Sequence, residues 1–298
     1  MIKKLILSLA AFFLIIYFAG EYQPARYYSL LCTDTNAAKD GGWNYDYDSF
    51  FIGKNGCLYD PGSISINDIP PVIDTKNTDN PKKPLWYVNG ANHRASWVLP
   101  EMHLLAKNSG RPVVGIYNST LGGRFPDVLS DSINESKVAK ILASQIVQNI
   151  SSNTPVYISC NSQGAMHVSH GLQQAVKTLS LKYNKSELEA RLTKIHVETA
   201  GGAGKYFPDG PQYIHYANTR DPVPYKAGVL SVNAQKGKNA VIVEFTDQDN
   251  NALEPKYRWV GPLTMKFINV HGFNMYIQYR QAFEKVYQQR DKSLLRQE

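Results

Sequence analysis

From Leu85 onward, short apolar runs alternate with longer stretches of helical spacing, and this alternation constrains the chain more than any other feature. Leu85–Val88, Pro112–Tyr117, Val156–Cys160, Lys194–Glu198, Gln212–Ala217 and Ala240–Phe245 read as strands. Trp97–Lys107, Ser136–Ile150, Gly164–Leu181 and Phe273 to about Arg290 carry the spacing of helices. Parallel neighbours need a crossover about as long as a helix, and the intervals here supply it. The pattern predicts an α/β fold, with a mostly parallel central sheet covered by helices on both faces. Sheets of this kind place their ligand sites beyond the carboxyl ends of the strands, so reactive residues should follow strands directly.

One such residue is Ser162. The strand Val156–Ser159 runs into Cys160-Asn161-Ser162-Gln163-Gly164 and then straight into a helix, a setting that thrusts a side chain above the sheet. Small residues are needed two positions either side of the serine, where strand and helix backbones pass closely; Gly164 meets this and Cys160 meets it less well. The competing reading of Ser162 is an ordinary helix N-cap. A second residue is Asp221, which in the segment Tyr213–Pro224 follows an alternating apolar strand and opens a Pro-bounded turn, where an aspartate either orients a histidine or simply forms the turn. The third is His271, the one histidine that sits late in the chain between an apolar segment and the last helix. Glu198, at the end of the preceding strand, is an alternative acid.

The order Ser, Asp, His along later strands of one sheet is that of α/β-hydrolases. From about residue 85 to 290 the chain resembles that family, particularly its lipase and esterase members, on Cys160–Gly164, Asn218–Val223 and His271 with its context. Cys160 departs from the Gly-x-Ser-x-Gly form of the motif. The resemblance implies a Ser162–Asp221–His271 triad and an oxyanion hole built from the backbone N–H groups of Ala91, after the early Val88-Asn89-Gly90 segment, and Gln163. It also implies cleavage of a carboxylic ester, with no metal and no organic cofactor. The segment Gly122–Ile133 is a candidate apolar flap over the site. The alternative is a catalytically silent hydrolase-like protein that binds or assembles partners at a membrane.

At the N-terminus, Lys3 and Lys4 precede an apolar run, Leu5–Ala19, that directs a chain to a membrane. As a helix it covers about 23 Å, short of a bilayer core of roughly 30 Å, which suits a cleaved signal. Tyr17 and Phe18 occupy positions where a peptidase reads small residues, which suits an uncleaved anchor. Both readings place the body outside the cytoplasm, membrane-anchored in one case and secreted in the other. The organisation expected is a signal anchor or signal peptide at 1–20, a loop-rich membrane-proximal cap segment at 21–84 and a hydrolase-like domain at 85–298. A disulfide between Cys32 and Cys57, both in the Gly- and Asp-rich stretch after the membrane segment, fits that compartment.

Asp34, Asp40, Asp46 and Asp48 lack the glycine and terminal glutamate of an EF-hand and read as turn carboxylates. The formal charge of +7 is spread along the chain without an arginine-rich run or a nucleic-acid module. A nucleic-acid partner is therefore not expected; the partner that the resemblance implies is a small-molecule or lipid ester.

Overall fold

The computed structural model describes residues 37–38, 45–74, 82–91, 93–120, 136–247 and 270–294. Its first strands are short: β1 (Ala37–Ala38), β2 (Phe51–Ile52) and β3 (Leu58–Tyr59). Longer ones follow as β4 (Leu85–Val88), β5 (Val113–Ile116), β6 (Val156–Asn161) and β7 (Ile195–Ala200). The remainder are β8 (Tyr206–Phe207), β9 (Gln212–Asn218), β10 (Gln235–Lys236) and β11 (Val241–Phe245). Nine of them form one sheet in the order β1-β3-β2-β5-β4-β6-β7-β9-β11, while β8 and β10 pair separately. From β5 to β11 the pairing is parallel throughout; β1, β2 and β3 add an antiparallel edge.

The helices are α1 (Ala95–Ser109), α2 (Lys137–Ser151), α3 (Gly164–Ser180), α4 (Lys185–Leu192), α5 (Pro222–Lys226), α6 (Phe273–Ile277) and α7 (Phe283–Leu294). Side chains alternate across a strand, so each central strand feeds two cores. Trp86 and Val88 pack with Val138, Leu142 and Ile146 of α2 and Val168 and Leu172 of α3. Leu85 and Tyr87 pack on the other face with Val98, Met102 and Leu105 of α1, Phe273 and Tyr276 of α6, and Phe283 of α7. Burial on both faces explains why β4 is an unbroken apolar run, Leu-Trp-Tyr-Val, with every residue buried.

Two differences from the sequence reading have physical causes. The stretch at 21–84, expected to be a loop-rich cap, contributes strands to the main sheet: Phe51 and Ile52 pair with Ile116 and Gly115, and Leu58 and Tyr59 pair with β2. Two-residue strands carry no periodic signal. The expected final helix is interrupted between α6 and α7, where Arg280 turns inward to Glu198 and the backbone of Gln281 bonds the Tyr216 hydroxyl.

Cys57 is buried and disulfide-bonded, and Cys160 is a free, buried thiol. Cys32, the expected partner of Cys57, lies outside the described residues, as do the apolar run 5–19 and the candidate flap 122–133. Among the described residues, no helix is long and apolar enough to cross a membrane.

Candidate active site

Parallel register brings the working ends of four strands to one place. Val88 of β4 pairs with Cys160 of β6, Asn161 of β6 with Ala200 of β7, and Ala200 with Tyr216 of β9. The residues that follow these positions therefore meet at the carboxyl edge of the sheet, and they include Gly90, Ser162 and Asp221.

Ser162 sits in the turn between β6 and α3 with φ of +52°, a left-handed conformation that costs a non-glycine residue about 1–3 kcal/mol. Its surroundings hold it there. The Ser162 N–H donates to Ala200 O at 3.1 Å, and its carbonyl accepts from Ala165 N at 3.1 Å and Ala203 N at 2.9 Å. Gly164 allows the turn, because a Cβ there would lie 2.4 Å from Val88 O and 2.7 Å from Asn89 O, both backbone atoms. Gln163, not Ser162, occupies the N-cap position of α3, so the ordinary-cap reading of Ser162 does not describe its side chain. That side chain meets His271 instead, with 2.7 Å between Ser162 Oγ and His271 Nε2.

Asp221 does two jobs. As N-cap of α5, its Oδ1 accepts from Val223 N at 2.9 Å, and its Oδ2 accepts from His271 Nδ1 at 2.6 Å. One carboxylate thus both caps the turn and contacts the histidine. It is wholly buried, whereas Ser162 and His271 are partly open to solvent. Asn218, at the end of β9, secures the histidine segment by donating its amide to Val270 O at 3.0 Å.

Glu198, the alternative acid, points elsewhere. It lies inside β7, two residues short of the strand end, and its Oε1 accepts from Arg280 Nε at 2.6 Å with both side chains buried. The carboxylate outweighs the effect of burial on Arg280 and holds that guanidinium firmly charged. Cys160 is fully buried in the α2–α3 core, with its Sγ 3.5 Å from Glu198 O. Burial, and then the nearby Glu198 carboxylate, push its thiol well above the ordinary range. Cys160 is a packing residue of that core.

Some contributors have no local sequence signature. The Tyr276 hydroxyl donates to Asp221 Oδ2 at 2.6 Å and accepts from Asn218 N at 3.2 Å. Burial, and then the Asp221 charge, raise that hydroxyl far above its ordinary value, so it remains a donor. Beneath the turn lies a buried amide network. Asn89 bonds the backbone of Asn118 in both directions, at 2.9 and 2.8 Å, and Asn118 Nδ2 donates to Gln163 Oε1 at 3.0 Å, which also accepts from Thr120 Oγ1 at 3.3 Å. The network ties the ends of β4 and β5 to the residue after Ser162. Asn118 itself is 1% exposed, so its amide serves the interior.

Gly90 lies against the turn: a Cβ there would stand 2.9 Å from Asn161 Oδ1 and 3.0 Å from Ser162 Cβ. Among the described residues, no group of His, Cys, Asp and Glu is arranged to hold a metal. Asp48 instead accepts from the N–H and hydroxyl of Ser119, at 3.0 and 3.1 Å. No known family model matches the chain, and no curated protein matches its sequence.

Proposed function

We propose that this chain is a serine hydrolase of the α/β-hydrolase kind that cleaves carboxylic esters outside the cytoplasm, with Ser162 as nucleophile, His271 as base and Asp221 as the orienting acid. The observation that carries the reading is the continuous relay Ser162 Oγ–His271–Asp221, at 2.7 and 2.6 Å, at the carboxyl edge of a mostly parallel sheet. Sheet order and the strained turn at Ser162 support the same family.

In this mechanism the Ser162 hydroxyl gives its proton to His271 Nε2 as Oγ attacks the acyl carbon. Asp221 holds the imidazole so that Nδ1 keeps its proton, and its charge stabilises the imidazolium that forms. In this reading the oxyanion is received by the backbone N–H groups of Gln163, next in the chain to the serine, and of Ala91, one residue beyond Gly90. Collapse of the tetrahedral intermediate breaks the ester C–O bond, and the alkoxide leaves with the proton from His271 Nε2. Water, deprotonated by His271, then attacks the acyl-enzyme and returns free Ser162 and the carboxylic acid. The apolar N-terminal run and the basic charge favour an ester presented at a lipid surface.

A fluorophosphonate probe and a series of p-nitrophenyl esters test this. Labelling should require Ser162, and Ser162→Ala should lower kcat by about 10⁶-fold. Hydrolysis retained by the Ala variant rejects the nucleophile. A folded protein that is neither labelled nor active favours the alternative of a silent binding or assembly protein.

A further inference from the structure

The segment that carries the proposed oxyanion donor is held by a device outside the triad. His93 folds back on its own loop: its Nδ1 lies 2.8 Å from Ala91 O and its Nε2 3.2 Å from Glu101 Oε1. Both partners are acceptors only, a carbonyl and a carboxylate. To satisfy both, the ring must donate from both nitrogens, which only the imidazolium does. Glu101, on the first turns of α1, is itself fixed by the buried Tyr87 hydroxyl, which donates to its Oε2 at 2.8 Å. The backbone is pinned once more, by the Tyr117 hydroxyl donating to His93 O at 2.8 Å.

We propose that His93, as an imidazolium seated on Glu101, is a positioning residue that sets the direction of the Ala91 N–H, and that acyl transfer weakens when His93 loses its proton. The inference rests on the serine-hydrolase reading. Ala91 is one peptide beyond Gly90, whose backbone abuts Ser162. The Ala91 N–H belongs to the Gly90–Ala91 peptide, whose carbonyl accepts from Asn89 Nδ2 at 2.9 Å and also faces the His93 ring; the further bond from His93 to the Ala91 carbonyl restrains the Ala91 dihedrals, so the ring acts together with Asn89 on that peptide. An imidazole that donates from one nitrogen alone leaves either Ala91 O or the Glu101 carboxylate unpaired.

The local charges agree with the geometry. Among the described residues, the ionisable groups around His93 are Glu101 of α1, Tyr87 of β4 behind it and Tyr117 just past β5; Arg94, next in the chain, lies over the Trp97 ring at 5.3 Å. Burial disfavours charge on His93, but Glu101 and the loop carbonyls outweigh it and raise the ring above the ordinary value of 6.5. The side chain is still 25% exposed, so it exchanges protons with solvent.

The test compares wild type, His93→Gln and Glu101→Gln, using ester kinetics across pH 5 to 10 with proton NMR titration of the His93 ring. His93→Gln should lower kcat by about 10²-fold, with KM within about twofold, and should lack the alkaline limb that wild type shows. Glu101→Gln should keep wild-type kcat within about threefold at the acidic end and show its alkaline limb at lower pH, moving together with the His93 titration. Thermal unfolding separates these effects from loss of fold. The proposal is overturned if His93→Gln keeps the wild-type limb, or if the wild-type ring titrates at or below 6.5. A wild type that is folded yet inactive and unlabelled at Ser162 overturns the hydrolase reading, and this inference with it, whatever the NMR shows.

Discussion

Gly164→Ala is a single added methyl whose effect follows from distances. The new Cβ would stand 2.4 Å from Val88 O, 2.7 Å from Asn89 O and 3.0 Å from Val88 C. All three are backbone atoms: Val88 is fixed by pairing on both sides of β4, and Asn89 follows it directly with its side chain tied to Asn118. Reaching ordinary contact at 3.4 Å requires the start of α3 to retreat by about 1 Å. Overpacking of that size costs about 1–3 kcal/mol. At roughly 2–4 °C per kcal/mol, the melting temperature should fall by several degrees. Ser162 stands two residues before the methyl, and its Oγ is 2.7 Å from His271 Nε2, so a displacement of about 1 Å breaks that contact. Misplacement of this size costs about 10²-fold in rate. The assay is kcat/KM on a short-chain p-nitrophenyl ester beside thermal unfolding followed by circular dichroism. Gly62→Ala is the control, because there the nearest atom is the tip of the Asp60 side chain at 3.3 Å on an exposed turn. An unchanged melting temperature in Gly164→Ala would refute the packing argument. A lowered one with unchanged kcat/KM would refute the link between this turn and catalysis.

Other outcomes are expected on the same reasoning. Cys160→Ala should keep kcat within about threefold and lose about 1 kcal/mol in urea unfolding, since its side chain serves the core; a loss of activity beyond tenfold would give the thiol a chemical role. Asp221→Asn should lower kcat by about 10⁴-fold. Glu198→Gln should leave kcat nearly unchanged but destabilise by about 3–5 kcal/mol, because Arg280 stays buried without its counter-charge; kinetics that rank the two carboxylates the other way would reverse the assignment. Stability should also fall on acidification. His167 and His215 are pushed down to about 3 and about 4, chiefly by burial, so below about 6.5 the unfolded chain binds protons that the folded one refuses. Each then removes about 1.4 kcal/mol per pH unit as the pH drops towards 4. Asp48, raised by burial, works in the opposite direction, and the raised His93 adds stability that is lost only as pH rises. Urea unfolding at pH 7 and pH 5 checks this, and equal or greater stability at pH 5 would contradict it.

Much of the fold was legible because β4, β5 and β6 are buried on both faces and read as largely apolar runs, while β7 and β9 still carry an apolar pattern into which buried polar residues such as Glu198 and His215 are mixed. Their order in the sheet was not, since pairing joins residues far apart in the chain. Ser162 was legible from its strand-turn-helix setting, which a short window contains. Tyr276 was not, because its bond to Asp221 spans 55 positions and leaves no local trace. The Asn118 and Gln163 amides, 45 positions apart, are invisible for the same reason. Helix α4 escaped notice because only Leu192 is buried in it, so there was no apolar stripe to read; its one signal was Asn184, which caps it through Glu187 N at 3.0 Å. The break after Ile277 has its cause in the distant Glu198.

The buried thiol at Cys160 bears on how such a chain survives oxidative maturation. A third cysteine beside a disulfide-bonded Cys57 can be captured in the wrong pairing while the chain is still unfolded, when any thiolate attacks a disulfide. Strand β6 lies between β4 and β7, so zipping those ladders withdraws Cys160 from exchange while raising the energy needed to ionise it. Sheet assembly thus takes the spare thiol out of reach of exchange in the same step that seats the serine turn.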